Sequence, residues 1–539
     1  MGGGLIELVA TGPQDVYLTE NPQITFFKIM YKRYTNFSID YSEINFNSIA
    51  DFGKTVTCLI PNNGDLVNNT YLKIVINKSD EGNYYGFVHK LGHVLIDNMK
   101  ILLGGLIIDE QYGDWLNIWT ELTIKESLQE TYNILIGNTP NIWKIEKSKD
   151  EITMFIPLQF WFCRNNGLAI PLIALQYSDL KIQFTFKKLE NCINIKYNKN
   201  RTDISFKDAS LIIEYIYLDT AERNRFAKSS HEYLIEQVQT KGETPVIDGN
   251  ENIQLGFYHP CKALYWTVQI GDYINNTTII FDDFGKININ YFSKILWVIT
   301  RDIIYINKNN IIYVQLNSIN NSNFLSPGSI ITNNDNNLYY ILNKIKAQFL
   351  FFNPNYDINA EILDNIFIRE LNLDNSDISI TIDDIIKNLP SDYLNERINL
   401  LYKFTKNINQ YDNYGLYVNK TENPCLSARL LLNGHDRFSE RKGSYFNYVQ
   451  PYQHFTRTPS DGINVYSFSI NPEEHQPSGT CNMSKIDNIK FNIKIGIDIN
   501  NNILFQNKWL SKNTVIKIYT VNYNILRIMG GLGGLAYNV

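Results

Sequence analysis

With 539 residues the chain can hold three or four domains at ~150 residues each, or two large all-β ones, so core size does not limit it. Aromatic residues make up 13%, including 35 Tyr and 29 Phe, which suits half-buried pleated sheets and argues against an all-helical protein. Forty-nine basic residues against 55 acidic ones, a net charge of −6, disfavour binding driven by counterion release from nucleic acid.

The chain opens Met1-Gly2-Gly3-Gly4-Leu5-Ile6, with no basic n-region or apolar h-region, and Ile6 stands where a myristoylation signal needs Ser or Thr. Leu5, Ile6, Leu8 and Val9 make residues 2–15 too apolar for a free tail, so they read as an edge strand or as an arm that orders on docking. Period-two alternation predicts strands at 24–29, 71–76 and 181–186, each bounded by Asn, Asp or Gly. The apolar stretch 93–108 is broken by Asp97, Asn98 and Lys100, short of the ~20 residues that span a bilayer, so the chain is expected to be soluble. Across 109–131, Trp115, Ile118, Trp119 and Leu122 recur at helical steps, predicting an amphipathic helix over a sheet end. Cys58, Cys163, Cys192, Cys261, Cys425 and Cys481 form no Cys-x-x-Cys, which points to a reducing compartment instead of a disulfide framework.

A weak internal repeat organises the rest. Lys100-Ile101-Leu102-Leu103-Gly104-Gly105, an aromatic-rich stretch, 155–158, a loop and 179–186 are matched by Arg429-Leu430-Leu431-Leu432-Asn433-Gly434, then Tyr445, Phe446 and Tyr448, then 465–468, a loop and 487–493. The final strands, 211–217 and 515–521, agree in kind. Two similar β domains in tandem follow, and strands of this number with long end loops suit a two-sheet jelly roll. A charged, helix-like stretch from Asp219 to Glu236 joins them. Residues 286–414, rich in Asn and Ile, have no counterpart in the first half, yet they carry a strand pattern at 311–316, a helical face at Leu338, Ile341, Leu342, Ile345 and Phe349, and a helix start at Pro390.

Chemical motifs are sparse. Gly53-Lys54-Thr55 ends like a phosphate loop, but residue 48 is Ser where the first glycine belongs. The 531–536 stretch fits Gly-x-Gly-x-x-Ala but follows the last strand with no helix, so a tail is the better reading. His89 and His93 share helical spacing without a third ligand, which favours packed histidines over zinc. His435-Asp436-Arg437 and Glu473-Glu474-His475 bring acid and imidazole together as a hydrolase would, although charged loops that fix a corner look the same. Neither a catalytic residue, a metal ligand nor a cofactor site is assigned, and chance sequons such as Asn36-Phe37-Ser38 are assigned no glycan.

The segment 14–28, with Asn21-Pro22-Gln23 at its centre, and then Arg33 and Thr35-Asn36-Phe37, resemble the amino terminus of major capsid proteins of nucleocytoplasmic large DNA viruses. The resemblance continues through 156–164, 169–177 and 229–237. It is strongest at Asn433-Gly434-His435-Asp436-Arg437, at 448–452, and at 462–482, which holds Pro472, Glu473, His475, Gln476, Pro477, Ser478 and Gly479; the tail 523–537 also fits. Departures are Tyr34, where the pattern has histidine, and Pro13 and Glu20 in the arm.

The resemblance implies an all-β double jelly roll: an arm at 1–23, a first barrel at 24–220, a linker at 221–236, a second barrel at 237–528 with an insertion at 286–414, and a tail at 529–539. It implies a structural, non-enzymatic role without cofactors, in which homotrimers form pseudo-hexagonal capsomers that tile an icosahedral virion shell after assembly in host cytoplasm. Implied partners are the chain itself, neighbouring capsomers, minor capsid and penton proteins, and an inner viral membrane, with no direct nucleic acid contact. The insertion, placed in the family's outward D–E loop, is expected to form a tower on the capsomer, and the arm to dock beneath the shell. The competing reading from another class is a β-sandwich carbohydrate-binding or carbohydrate-degrading protein, which predicts a concave site with paired carboxylates or an aromatic platform.

Overall fold

The computed structural model describes residues 3–19, 25–28, 31, 34–79, 85–144, 146, 148–195, 204–271, 274, 277–280, 303–306, 311–313, 405–416, 420, 422–496, 498–499, 502–503 and 514–537. In the first half, β1 (Phe37–Asn45), β2 (Thr55–Leu59), β3 (Leu66–Ile76), β4 (Ile96–Leu103), β5 (Leu106–Tyr112), β6 (Ile152–Pro157), β7 (Leu180–Phe186) and β8 (Phe206–Leu218) form two antiparallel sheets in the orders β1-β8-β3-β6 and β2-β7-β4-β5. The second half repeats them: β9 (His231–Pro245), β10 (Asn250–Leu255), β11 (Pro260–Gln269), β12 (Cys425–Leu432), β13 (His435–Lys442), β14 (Asn464–Ser467), β15 (Ile489–Ile495) and β16 (Val515–Met529) pair as β9-β16-β11-β14 and β10-β15-β12-β13. The same winding occurs twice, and the fold is the expected double jelly roll.

Alternation builds each core. Leu180, Ile182, Phe184 and Phe186 of β7 turn inward while their neighbours stay half-exposed, and Ile489, Phe491, Ile493 and Ile495 of β15 do the same in the second barrel. The matched hairpins share one turn chemistry. Gly104 and Gly105 at φ 58° and 89°, and Asn433 and Gly434 at 49° and 85°, supply the paired left-handed residues that two-residue hairpins require. Gly104 and Asn433 each donate a backbone N–H to the carbonyl of the residue ahead of the matched inner strand, Asp179 at 3.0 Å and Asn488 at 2.8 Å.

Several expectations need correction. Of the strand expected at 24–29, residues 25–28 form a turn, because among the described residues no neighbouring strand takes up their alternation, and Phe26 and Phe27 are exposed; residues 24 and 29 lie outside the described residues. The predicted helix 109–131 divides: Asp109 to Tyr112 finish β5, the helix is Gly113–Thr123, and a second helix, Gln129–Leu135, follows. In the expected linker, Asp219 caps a helix, Thr220–Lys228, by accepting the Ala221 N–H at 2.7 Å, but from His231 the chain is already β9. The tail is a hairpin, with Leu532–Leu535 turning back on β16 through Gly530 and Gly531. Gly53-Lys54-Thr55 is the turn into β2. Of the insertion, Ile303–Ile306 pairs with Ile311–Tyr313, and Thr405–Ile408 pairs with both Thr277–Ile280 and Ile195, so its end joins a sheet shared by the two halves. The patterns at 314–316, 338–349 and 390–401 lie outside the described residues.

Candidate assembly surfaces

The two barrels meet through the helix Gly113–Thr123. Its Trp115, Ile118, Trp119 and Leu122 are buried against the outer face of the β9-β16-β11-β14 sheet, among Ala263, Tyr265, Val465, Tyr519 and Val521. Trp115 meets Tyr265 edge-on, with ring centroids 5.0 Å apart. Polar contacts surround this patch: Asp109 accepts the Val238 N–H at 2.9 Å, Lys517 pairs with Asp114 at 2.5 Å, and Lys90 pairs with Glu121. Ile235, Leu526 and Ile528 of the second barrel reach into the first core, so the barrels are packed together instead of tethered.

Beside the helix lies a buried charge cluster. Arg164 and Lys262 donate to the Glu236 carboxylate at 2.7 and 2.8 Å, and His475 Nδ1 lies 3.3 Å from it. Burial alone would raise the Glu236 pKa, but Arg164, His475 and Lys262 together outweigh it and hold the carboxyl down at about 2. Lys262 also donates to the Glu474 carbonyl at 2.7 Å, and the Arg164 guanidinium stacks 4.8 Å from the Trp119 ring centre. Sequence reasoning missed this cluster. Its signal was a lysine inside Cys261-Lys262-Ala263-Leu264-Tyr265-Trp266, where a buried strand should be apolar.

The other motif residues occupy separate local roles. His435, Asp436 and Arg437 begin β13 and are not a loop: Asp436 accepts from Arg429 at 2.6 Å, and Arg437 lies over the Tyr466 and Phe468 rings. Glu473 accepts from the backbone and hydroxyl of Thr456, Ser478 accepts the Asn471 N–H at 2.9 Å, and His475 accepts the Tyr523 hydroxyl through its carbonyl. Pro472 is buried, Gln476 and Pro477 are exposed, and Gly479 sits at φ 130°, where a Cβ would come within 2.9 Å of the Phe468 carbonyl. Asn21, Pro22 and Gln23 lie outside the described residues. His89 stacks on Trp143, and His93 bonds the Tyr132 hydroxyl at 2.8 Å, its pKa pushed down to about 3 by burial. A cavity of about 440 Å³ at the seam is lined by Asp109, Glu110, His259, Asn524 and Tyr537, but its carboxylates are engaged: Asp109 by Val238 and Gln111, Glu110 by Lys100.

Among the described residues, nothing covers two surfaces. The first is the arm, which forms helices Gly3–Val9 and Pro13–Thr19, not an edge strand; Leu5, Ile6, Leu8, Val9, Tyr17 and Leu18 are all more than half exposed. The second is β1, an edge strand bearing exposed Phe37, Ile39 and Tyr41 on its outer face. Among the described residues no helix is long and apolar enough to cross a membrane.

Known proteins match the whole length. A family model described as large eukaryotic DNA virus major capsid protein matches residues 222–534, and one described as major capsid protein N-terminus matches 25–219. The major capsid proteins of Phaeocystis pouchetii virus and Chrysochromulina ericina virus are 37% and 35% identical, each aligned over 100% of both chains. Among solved structures, a chain of the PBCV-1 virus capsid superposes with a TM-score of 0.62 at 27% identity, covering 96% of this chain and 100% of that one.

Proposed function

The chain belongs to the major capsid protein family of large eukaryotic DNA viruses, a family of virion structural proteins and not enzymes, and from that premise we propose that three copies close into a pseudo-hexagonal capsomer that tiles an icosahedral shell. The carrying observation is the repeated strand order: two like barrels packed side by side, repeated by a threefold axis, present six similar sides, and cyclic symmetry closes the ring without leaving an open end. Light scattering at low and high salt tests it. The expected mass is three times 62.6 kDa in both, since an obligate interface above ~2,000 Å² withstands screening, and a persistent single-chain mass sinks it.

Within that capsomer the arm 1–23 docks beneath the shell against a neighbouring capsomer or a minor capsid protein. What supports this is the row of uncovered apolar side chains on two short helices, which would not stay helical or solvated alone. Deleting residues 1–23 is expected to leave the native mass three-chain while virus carrying the deletion makes few closed shells by electron microscopy; normal shells would refute the arm's role. The insertion 286–414 enters between β11 and β12 and forms the outward tower, and a map with that density on the inner side would overturn this placement. Assembly in host cytoplasm, penton contacts and an underlying membrane complete the reading, and the net charge of −6 supports a shell that does not itself hold the genome.

A further inference from the structure

Each barrel carries a helix directly after the strand that ends its first hairpin, and the two helices correspond in order. Gly113 follows β5 and Gly443 follows β13; a Cβ on Gly113 would lie 2.3 Å from the carbonyl of Ile96, which begins β4, and one on Gly443 would lie 1.8 Å from that of Cys425, which begins β12. One turn on, each helix buries an asparagine, Asn117 and Asn447. The next positions differ in their cover. Ile118, Trp119 and Leu122 are 0%, 3% and 0% exposed because the second barrel's sheet covers them, whereas Tyr448, Val449 and Tyr452 are 43%, 40% and 83% exposed. The second helix is also wound as a π-turn over Tyr445–Val449, a rare form that concentrates at functional sites.

We propose that Tyr448, Val449 and Tyr452 of one copy seat on the outer face of the β1-β8-β3-β6 sheet of a second copy, as Ile118, Trp119 and Leu122 seat on the β9-β16-β11-β14 sheet within one chain. The receiving face is the equivalent sheet of the first barrel. Leu211, Ile213 and Tyr215 of β8 point into the core, so Ile212 and Glu214 lie on the other face, Ile212 level with Tyr71 of β3 and the buried Glu214 level with Tyr41 of β1, while Phe155 of β6 stands one pair along, opposite Lys73. Tyr41 is held by its hydroxyl, which donates to Glu214 at 2.7 Å, with Asn69 donating to the same carboxylate at 3.2 Å. The occupant is a second copy because the contact continues one the chain already makes: first-barrel helix on second-barrel sheet inside the molecule, second-barrel helix on first-barrel sheet between molecules. A head-to-tail pairing of this kind either closes a ring or runs on as a filament, and closure after three chains is the capsomer. This inference rests on the trimer reading and assigns its interface.

The test compares native mass by light scattering, with thermal melting as a folding control, for the unaltered chain, the double variant Val449→Asp/Tyr452→Asp, and Tyr41→Lys on the opposite side. Expected are a three-chain mass for the unaltered chain and a threefold lower mass for each variant, with cooperative melting retained because the altered side chains are exposed in a single chain. A three-chain mass that survives both variants overturns the interface and leaves the trimer standing; an unaltered chain of single-chain mass overturns both. Should the helix variant fail to fold, Tyr41→Lys alone decides.

Discussion

Glu236→Gln is expected to destabilise the fold by about 3–5 kcal/mol, the range for breaking a buried ion pair from one side. Glu236 is 3% exposed and faces Arg164, Lys262 and His475, and Lys262 is itself 1% exposed, so the neutral amide leaves a lysine charge in the seam without its counter-ion. Urea unfolding of the variant beside Glu236→Gln/Lys262→Met separates the causes. The double change should recover much of the loss, because an apolar replacement removes the stranded charge; equal losses in both would mean that the geometry of the carboxylate matters and not its charge. The same group sets an acid limit. Its folded pKa, about 2, lies below the ordinary 4.5, so its contribution is fully present above about pH 4.5 and is lost as pH falls through about 2. That difference corresponds to about 3 kcal/mol, and stability measured from pH 5 to pH 2 should fall less steeply in Glu236→Gln than in the unaltered chain. Parallel slopes would remove Glu236 as the acid-sensitive group.

The repeat is legible in the sequence because its signals are local: a period of two with one buried face, and hairpin turns that demand Gly-Gly or Asn-Gly. Its exact register is less so. The strands 211–217 and 515–521 agree in kind, yet odd positions such as Leu211 and Ile213 fill the first core while even ones, Ile516 and Ile518, fill the second. Setting residue 211 against 515 is therefore one residue out of step, and a shift of one exchanges the two faces of a strand. It also hides that Tyr519 and Val521 face the first barrel. Helix periodicity at Trp115, Ile118, Trp119 and Leu122 is visible, but its start is not, since Asp109 to Tyr112 owe their strand form to pairing with β4. The charge cluster is harder still: Arg164, Glu236, Lys262 and His475 are distant in sequence and meet only when the barrels pack. Conversely, the alternation predicted at 24–29 is a true pattern, yet its described part, 25–28, has no partner strand among the described residues, and periodicity alone does not make a sheet.

Gly113→Ala separates local preference from packing by its sign. Helix propensity alone predicts that alanine stabilises Gly113–Thr123 by about 1 kcal/mol. The structure predicts the opposite, a loss of about 3 kcal/mol, because the new methyl would sit 2.1 Å from the His93 carbonyl and 2.3 Å from that of Ile96, and both are backbone atoms that cannot swing aside. The helix must then lift from the start of β4, and with it Trp115 and Trp119 from the second barrel's sheet. Gly443→Ala meets the Cys425 carbonyl in the same way, but its helix faces outward, so a shift there should also lower the native mass if a neighbouring copy reads that surface. Denaturant unfolding of both variants, with light scattering beside it, gives two separable results. A stabilised Gly113→Ala would mean that the helix is free to move off the sheet, and the inter-barrel seam would then not be the rigid template from which the contact between copies is drawn.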